Sequence, residues 1–388
     1  MMVLTLTLLC FQVETGLDFM VASRFASLKG KTVAILTNHS ALDRTGKHLV
    51  DLLPTNRDFH LKAFLAPEHG FQGRLDRENL ADGEEETTGC TIYSLYGKNR
   101  KPSAAMLAGV DVLLFDIQDI GTRFYTYQTT MLYAMQACAE FGVDFMVLDR
   151  PNPLGGLRCE GPVLDSDLRS FVGAFPMPVL HGMTMGELAT LFQAQLGLNL
   201  KLTVVPCKGW RRDWLFDRTG LVWIDPSPNI RNLKQAILYP AIGLLEYTNL
   251  SVGRGTDTPF EHFGAPWLEA VPLARKLNAA GLAGIRFVPH FFVPESGPYK
   301  GESCGGVYLM LTDARTFDPI LTSYTIFQML HQQAAYAGER YLKLLGNRRS
   351  FEALMKGEEP AQIRQQEQQQ IDLFREKRRA ALLYPERH

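Results

Sequence analysis

The sequence predicts an α/β fold organised around a parallel, doubly wound sheet. Two patterns carry this expectation. Short apolar runs at residues 31–36, 61–66, 110–115 and 143–148 alternate with amphipathic segments, the signature of strands linked by crossover helices. Each of these runs ends in a polar cluster: Thr37-Asn38-His39, Glu68-His69, Asp116 with Gln118 and Asp119, and Asp149-Arg150. Parallel strands share one carboxyl edge, where open sheets bind ligands, so the clusters are expected to converge there. Neither G-x-G-x-x-G nor a Walker-type loop follows the first strand, so the sheet does not imply a dinucleotide.

In chain order, residues 15–28 read as a short lead-in helix and 31–36 as the first buried strand. Residues 42–53 carry leucines at helical spacing. The strand at 61–66 stops on Pro67 and opens into Glu68-His69-Gly70. Desolvating such a carboxylate or imidazole costs several kcal/mol unless it is paired, so this turn is a site candidate as well as a possible cap. The acidic run 84–86 reads as solvated surface. Short elements follow at 91–95 and 103–107, then the strand at 110–115, a long helix at 126–141 and the strand at 143–148. Thr184, with Glu187 three residues on, predicts a capped helix over 185–196. Further strands are expected at 201–205, 285–288 and 306–311, a helix at 317–333 and a solvated helix at 362–379. An apolar run at 238–245 ends in Glu246, and glycines flank Arg254 where backbone must approach something closely.

The chain has 388 residues, 46% hydrophobic and 21% charged, enough for two domains or one large one. A net charge of −1 gives no sign of a nucleic-acid or anionic-membrane partner. The six cysteines have no CxxC spacing and read as buried or free thiols. No run is long enough to span a bilayer. Residues 1–11 are apolar without a basic start or a small-residue cleavage site, so they read as the remnant of an export signal or as a first strand.

Several motifs carry a resemblance: Ala66-Pro-Glu68-His-Gly-Phe71, Ser94-Leu-Tyr-Gly97, Phe115-Asp-Ile-Gln-Asp119, Arg123-Phe-Tyr-Thr-Tyr127, Leu148-Asp-Arg-Pro-Asn-Pro153, Glu160-Gly-Pro-Val163, His181-Gly-Met-Thr184 and Val252-Gly-Arg-Gly-Thr256. Together with Thr37-Asn38 they resemble the NamZ-type exo-β-N-acetylmuramidases. The resemblance implies a Rossmann-like parallel-sheet domain, set here at residues 13–165, and a smaller mixed α/β domain at 166–388, with the active site in the cleft between them. It implies release of terminal N-acetylmuramic acid from the non-reducing end of peptidoglycan fragments, that is, a muropeptide or MurNAc-GlcNAc substrate. It carries the catalytic glutamate to Glu68, and it implies a periplasmic or secreted protein. The incomplete signal leaves the cytoplasm open as well. No cofactor or metal is expected.

Glycoside hydrolysis uses two carboxyl groups, one protonating the leaving oxygen and one stabilising the transition state as nucleophile or base. Glu68 is placed as the acid, with Glu160, Asp149 and Asp116 as candidate partners. The two aspartates serve equally well as caps or as orienting groups for His69 or Arg150. The lactyl carboxylate of the substrate calls for a cation, from Arg123, Arg150, Arg254 or Lys300. Arg150 is as readily a structural ion pair. Tyr125 and Tyr127 are candidates to stack on a sugar or to pack in the helix. Asn38, His39, His69, Gln118, Asn152 and His181 complete the expected binding set. Two rivals stand beside this reading: a metal-dependent hydrolase using His39, His69, Asp116, Asp119 and His181, and a non-catalytic muropeptide-binding protein.

Overall fold

The computed structural model describes residues 12–54, 58–74 and 81–386. The apolar segment 1–11, Cys10 included, lies outside the described residues. Seven strands form the first sheet: β1 (Thr32–Thr37), β2 (His60–Ala66), β3 (Gly83–Glu85), β4 (Cys90–Ser94), β5 (Val112–Asp116), β6 (Asp144–Leu148) and β7 (Leu202–Val205), in the order β3-β4-β2-β1-β5-β6-β7. Every neighbouring pair is parallel except β3 with β4. The strand order reverses between β1 and β5, whose last residues, Thr37 and Asp116, are paired. That is the switch point at which a doubly wound sheet opens a crevice.

Alternate side chains of the central strands feed two cores. Leu36, Leu65, Phe115, Phe145 and Val147 face one side, under α4 (Tyr127–Phe141) and α5 (Met185–Leu196). Ile35, Phe64, Leu114, Met146 and Leu148 face the other, with Leu17 and Met20 of α1 (Gly16–Ala22); α2 (Leu49–Leu52) and α3 (Ala104–Leu107) are short single turns. Burial on both faces is why these strands read as unbroken apolar runs. The helix over 185–196 forms as its capping box predicts, with Thr184 accepting from the Glu187 N–H and Glu187 from the Thr184 N–H. The helix expected over 42–53 shrinks to Leu49–Leu52. Asp43 takes the backbone N–H groups of Thr45 and Lys47, each at 2.9 Å, and this local turn outcompetes helical bonding. Glu84 and Glu85 of the acidic run lie in the short, largely exposed edge strand β3, where charge discourages further pairing.

The second sheet is antiparallel, β8 (His262–Ala265), β10 (Cys304–Leu311) and β9 (Ile285–Phe292), in that order. The helix Ala270–Ala279 packs on it, and Leu233–Ile242 packs against Pro319–His331. The sequence predicts a solvated helix at the C-terminus, and the helix Pro360–Arg379 forms there. One face is instead buried through Ile363, Glu367, Ile371, Phe374 and Arg378 at helical spacing, and only the opposite face carries the exposed Gln and Arg. Strand β7 lies past residue 165, so the first sheet takes in chain beyond the expected 165/166 division. Side chains of both sheets meet in one core, Phe115 and Phe263 among them.

The chain end straps onto the first sheet. The Tyr384 hydroxyl donates to Asp149 Oδ2 (2.6 Å) and accepts the Cys207 N–H (2.8 Å), while Glu187 Oε1 accepts the Leu383 N–H (2.8 Å). Tyr384→Phe leaves the buried Cys207 N–H without its partner and removes one of the hydrogen bonds to buried Asp149. It should lower unfolding stability by about 1–3 kcal/mol, read as a lower urea midpoint at unchanged slope.

Candidate active site

Pro67 ends β2 because it has no N–H for the ladder. The turn that follows folds back through two left-handed residues, His69 (φ 69°) and Gly70 (φ 78°), and closes with the Gly70 N–H on the Pro67 carbonyl at 3.0 Å. Phe71 anchors the turn edge-on to Phe64 of β2, ring centroids 5.2 Å apart. Glu68 is thereby held at the carboxyl edge, partly buried, where it accepts a 2.5 Å hydrogen bond from the Thr126 hydroxyl. Thr126 stands at the N-terminus of α4, an end whose dipole favours a neighbouring anion.

Glu68 and His69 line one cavity with Tyr125 and Thr126 on the near side. The later chain contributes Asn229, Tyr239, Glu246, Tyr247, Arg254 and Phe260 to the lining. Glu246 and Arg254 form an ion pair at 2.5 Å, both partly buried, and the guanidinium lies over the Phe260 ring, 5.5 Å from its centroid. Tyr239 sits edge-on to Phe260 at 4.7 Å. Burial first, then the charges of Glu246 and Glu68, keep the Tyr239 hydroxyl protonated far above its usual range, so both carboxylates act on one group. Phe260 is left-handed as well (φ 61°). Non-glycine residues held there cost of order 1–3 kcal/mol and gather at functional sites, and His69 and Phe260 face the same cavity.

A loop at residues 225–230 roofs the cavity. The Tyr127 hydroxyl donates to the Pro226 carbonyl (2.5 Å) and accepts from Asn38 Nδ2 (3.1 Å). His39 Nε2 lies 2.6 Å from the Asp225 carbonyl, and burial lowers the pKa of this imidazole, so the neutral ring donates that bond. A Cβ on Gly73 would fall 1.8 Å from the His39 ring, so only glycine lets the Glu68 turn close against it. Asn38, His39 and Tyr127 therefore hold the roof. The cavity encloses about 100 Å³, below the ~300–1,000 Å³ usual for small-molecule sites. Through Ser227 it shares a wall with a second groove of about 430 Å³.

Of the residues expected from sequence, Glu68, His69, Tyr125 and Arg254 come together here. The other carboxylates stand outside this cavity, each engaged elsewhere. Asp116 is fully buried against Arg150, with Nε to Oδ1 at 2.5 Å and Nη2 to Oδ2 at 2.9 Å. Asp149 accepts from Tyr384, from the Thr184 hydroxyl (2.7 Å) and from the Gly186 N–H (2.8 Å). Glu160 is gripped by Arg158 at 2.6 and 2.8 Å. Of the strand-end charges, Asp116 and Arg150 thus pair with each other, while Asp149 is satisfied by neutral donors. Arg123 is buried among the carbonyls of Pro162, Met177, Leu344 and Leu345, and burial lowers its pKa to about 10. Gln118 and Asn152 bond backbone at Pro151 and Met183. His181 is buried and neutral, its pKa lowered to about 3 by burial and then by Arg378. Lys300 is exposed on the β9–β10 connection and lies outside the cavity lining. Among the described residues no three His, Cys, Asp or Glu side chains group as ion ligands. Sequence reading left Glu246, Asn229, Tyr239 and Phe260 unassigned. The apolar run ending in Glu246 was the available signal.

Asp119 is buried beside this region, accepting the Gly121 N–H at 2.7 Å, and burial raises its pKa to about 7. The native state then holds a proton that the unfolded chain releases near pH 4, so stability falls as pH rises through 7. The stability advantage of the wild type over Asp119→Asn should shrink by about 2–4 kcal/mol between pH 4 and pH 8 in urea titrations.

The comparisons agree with this architecture. A DUF1343 family protein of Bacteroides fragilis NCTC 9343 superposes with a TM-score of 0.89 at 34% identity, covering 97% of this chain and 100% of that one. A second from the same organism gives 0.78 at 32% identity, with the same coverage. Peptidoglycan beta-N-acetylmuramidase NamZ of Bacillus subtilis (strain 168) is 44% identical over 321 residues, 82% of this chain and 78% of that protein. The family model for the N-terminal part of exo-beta-N-acetylmuramidase NamZ matches residues 33–234 and that for its C-terminal part matches 237–384. The chain therefore belongs to the NamZ exo-β-N-acetylmuramidase family.

Proposed function

We propose that this protein is a glycosidase, an exo-acting β-N-acetylmuramidase that releases terminal N-acetylmuramic acid from the non-reducing end of peptidoglycan fragments. The observation that carries this reading is that Glu68 and the Glu246–Arg254 ion pair line one cavity. Glu68 donates the proton to the leaving oxygen. Glu246, in its ion pair with Arg254, faces the developing oxocarbenium charge as nucleophile or base. Arg254 has five N–H donors, so it can hold Glu246 and still meet the lactyl carboxylate. Asn229 and Ser227, in the same lining, serve the hydroxyl or acetamido groups. The substrate is a muropeptide or a MurNAc-GlcNAc oligosaccharide. Such fragments derive from the wall, so the expected place of work is periplasmic or extracellular. No helix among the described residues is long and apolar enough to cross a membrane.

Nitrophenyl N-acetylmuramide and MurNAc-GlcNAc, assayed with and without chelator, test this assignment. Both should be hydrolysed, and chelation should not matter. Loss of turnover on chelation, restored by metal, favours the metal-dependent hydrolase; binding without turnover favours the binding protein. Glu68→Gln should lower kcat about 10²–10⁴-fold on the disaccharide. The loss should be smaller on the nitrophenyl substrate, whose leaving group needs no proton. Glu246→Gln should slow both substrates. A Glu68→Gln enzyme active as wild type removes the proposed acid.

A further inference from the structure

We propose that the groove walled by Trp223 binds the N-acetylhexosamine on the leaving side of the scissile bond, so that the protein reads two sugars, not one. The inference rests on the muramidase reading and extends it. The groove and the cavity share Ser227, so a ligand that fills one can continue into the other. Gln72, Gly73 and Arg74 form part of its wall, and they belong to the turn that presents Glu68. A general acid stands beside the oxygen it protonates, so the departing sugar leaves along the acid's own turn. The groove lies on that path.

Its lining suits a pyranose bearing an acetamido group. Trp223 supplies an indole, the side chain best fitted to pack on the C–H face of a sugar ring. The ring is braced edge-on by Phe216, centroids 5.1 Å apart. His39, its Nε2 donating to the Asp225 carbonyl, lines the groove as well. The exposed ends of Gln72 and Arg74 add donors at the rim.

The test compares MurNAc-GlcNAc with methyl β-N-acetylmuramide, whose aglycone is too small to reach the groove. In Trp223→Ala the preference for the disaccharide, expressed as the ratio of the two kcat/KM values, should fall about tenfold. The fall should reside in the KM for the disaccharide, and Trp223→Phe should restore most of it. A ratio unchanged from wild type overturns the groove assignment, whether both substrates are unaffected or both fall equally because the roof loop has shifted. If the wild type hydrolyses neither substrate, the muramidase reading itself fails, and that outcome is separable from the first.

Discussion

The roof loop at residues 225–230 has no regular secondary structure, and its position over the sheet edge depends on two hydrogen bonds. Tyr127 and His39 donate to its successive carbonyls at Pro226 and Asp225. Both donors come from the first sheet's carboxyl side, one at the first turn of α4 and one just after β1. A backbone carbonyl buried at a cleft needs a partner, so these bonds set the height of the roof. That height decides whether Asn229, Ser227 and the chain beyond them face Glu68. Two left-handed residues, His69 and Phe260, line the same space, which is where an over-determined scaffold can sustain strain.

Around that space the molecule disposes of its other buried charges internally. Arg150 neutralises Asp116, Arg212 and the chain-end backbone engage Glu187, and Tyr384 with Thr184 satisfies Asp149. Arg123 ties the first sheet's α4 region to the helices near residue 345 through carbonyls alone. These groups stiffen the walls. The Glu246–Arg254 pair differs because it is only partly buried and lines the cavity, so substrate can compete for its hydrogen bonds. One carboxylate bonded to a neutral hydroxyl and one bonded to a guanidinium thus line the same cavity.

Much of the fold was legible because burial on both sheet faces writes itself as apolar runs, as in β1, β2, β5 and β6. The α5 helix was legible from its capping box alone. Segments governed by tertiary contact were not: the 42–53 leucines lose to the Asp43 turn, and the polar C-terminal helix is half buried by partners remote in sequence. The Glu68 turn stood out because Pro67 followed by Glu-His after an apolar run has few structural uses. Its partner did not. Asp116, Asp149 and Glu160 occupy strand-end or motif positions that look catalytic, yet whether a carboxylate meets an arginine or a substrate depends on pairings such as Arg158 with Glu160 that spacing does not encode. Glu246 follows an ordinary apolar run, and only the fold brings it into the cavity that Glu68 lines.

The account rests on a substrate lying between Glu68 and Glu246 beneath that roof. A crystal structure of Glu68→Gln soaked with MurNAc-GlcNAc tests it most directly. The account predicts the glycosidic oxygen within hydrogen-bonding reach of residue 68, the lactyl carboxylate on Arg254 and the anomeric carbon facing Glu246. A disaccharide bound with its glycosidic bond outside this cavity, or with Glu246 turned away from the anomeric carbon, would contradict it.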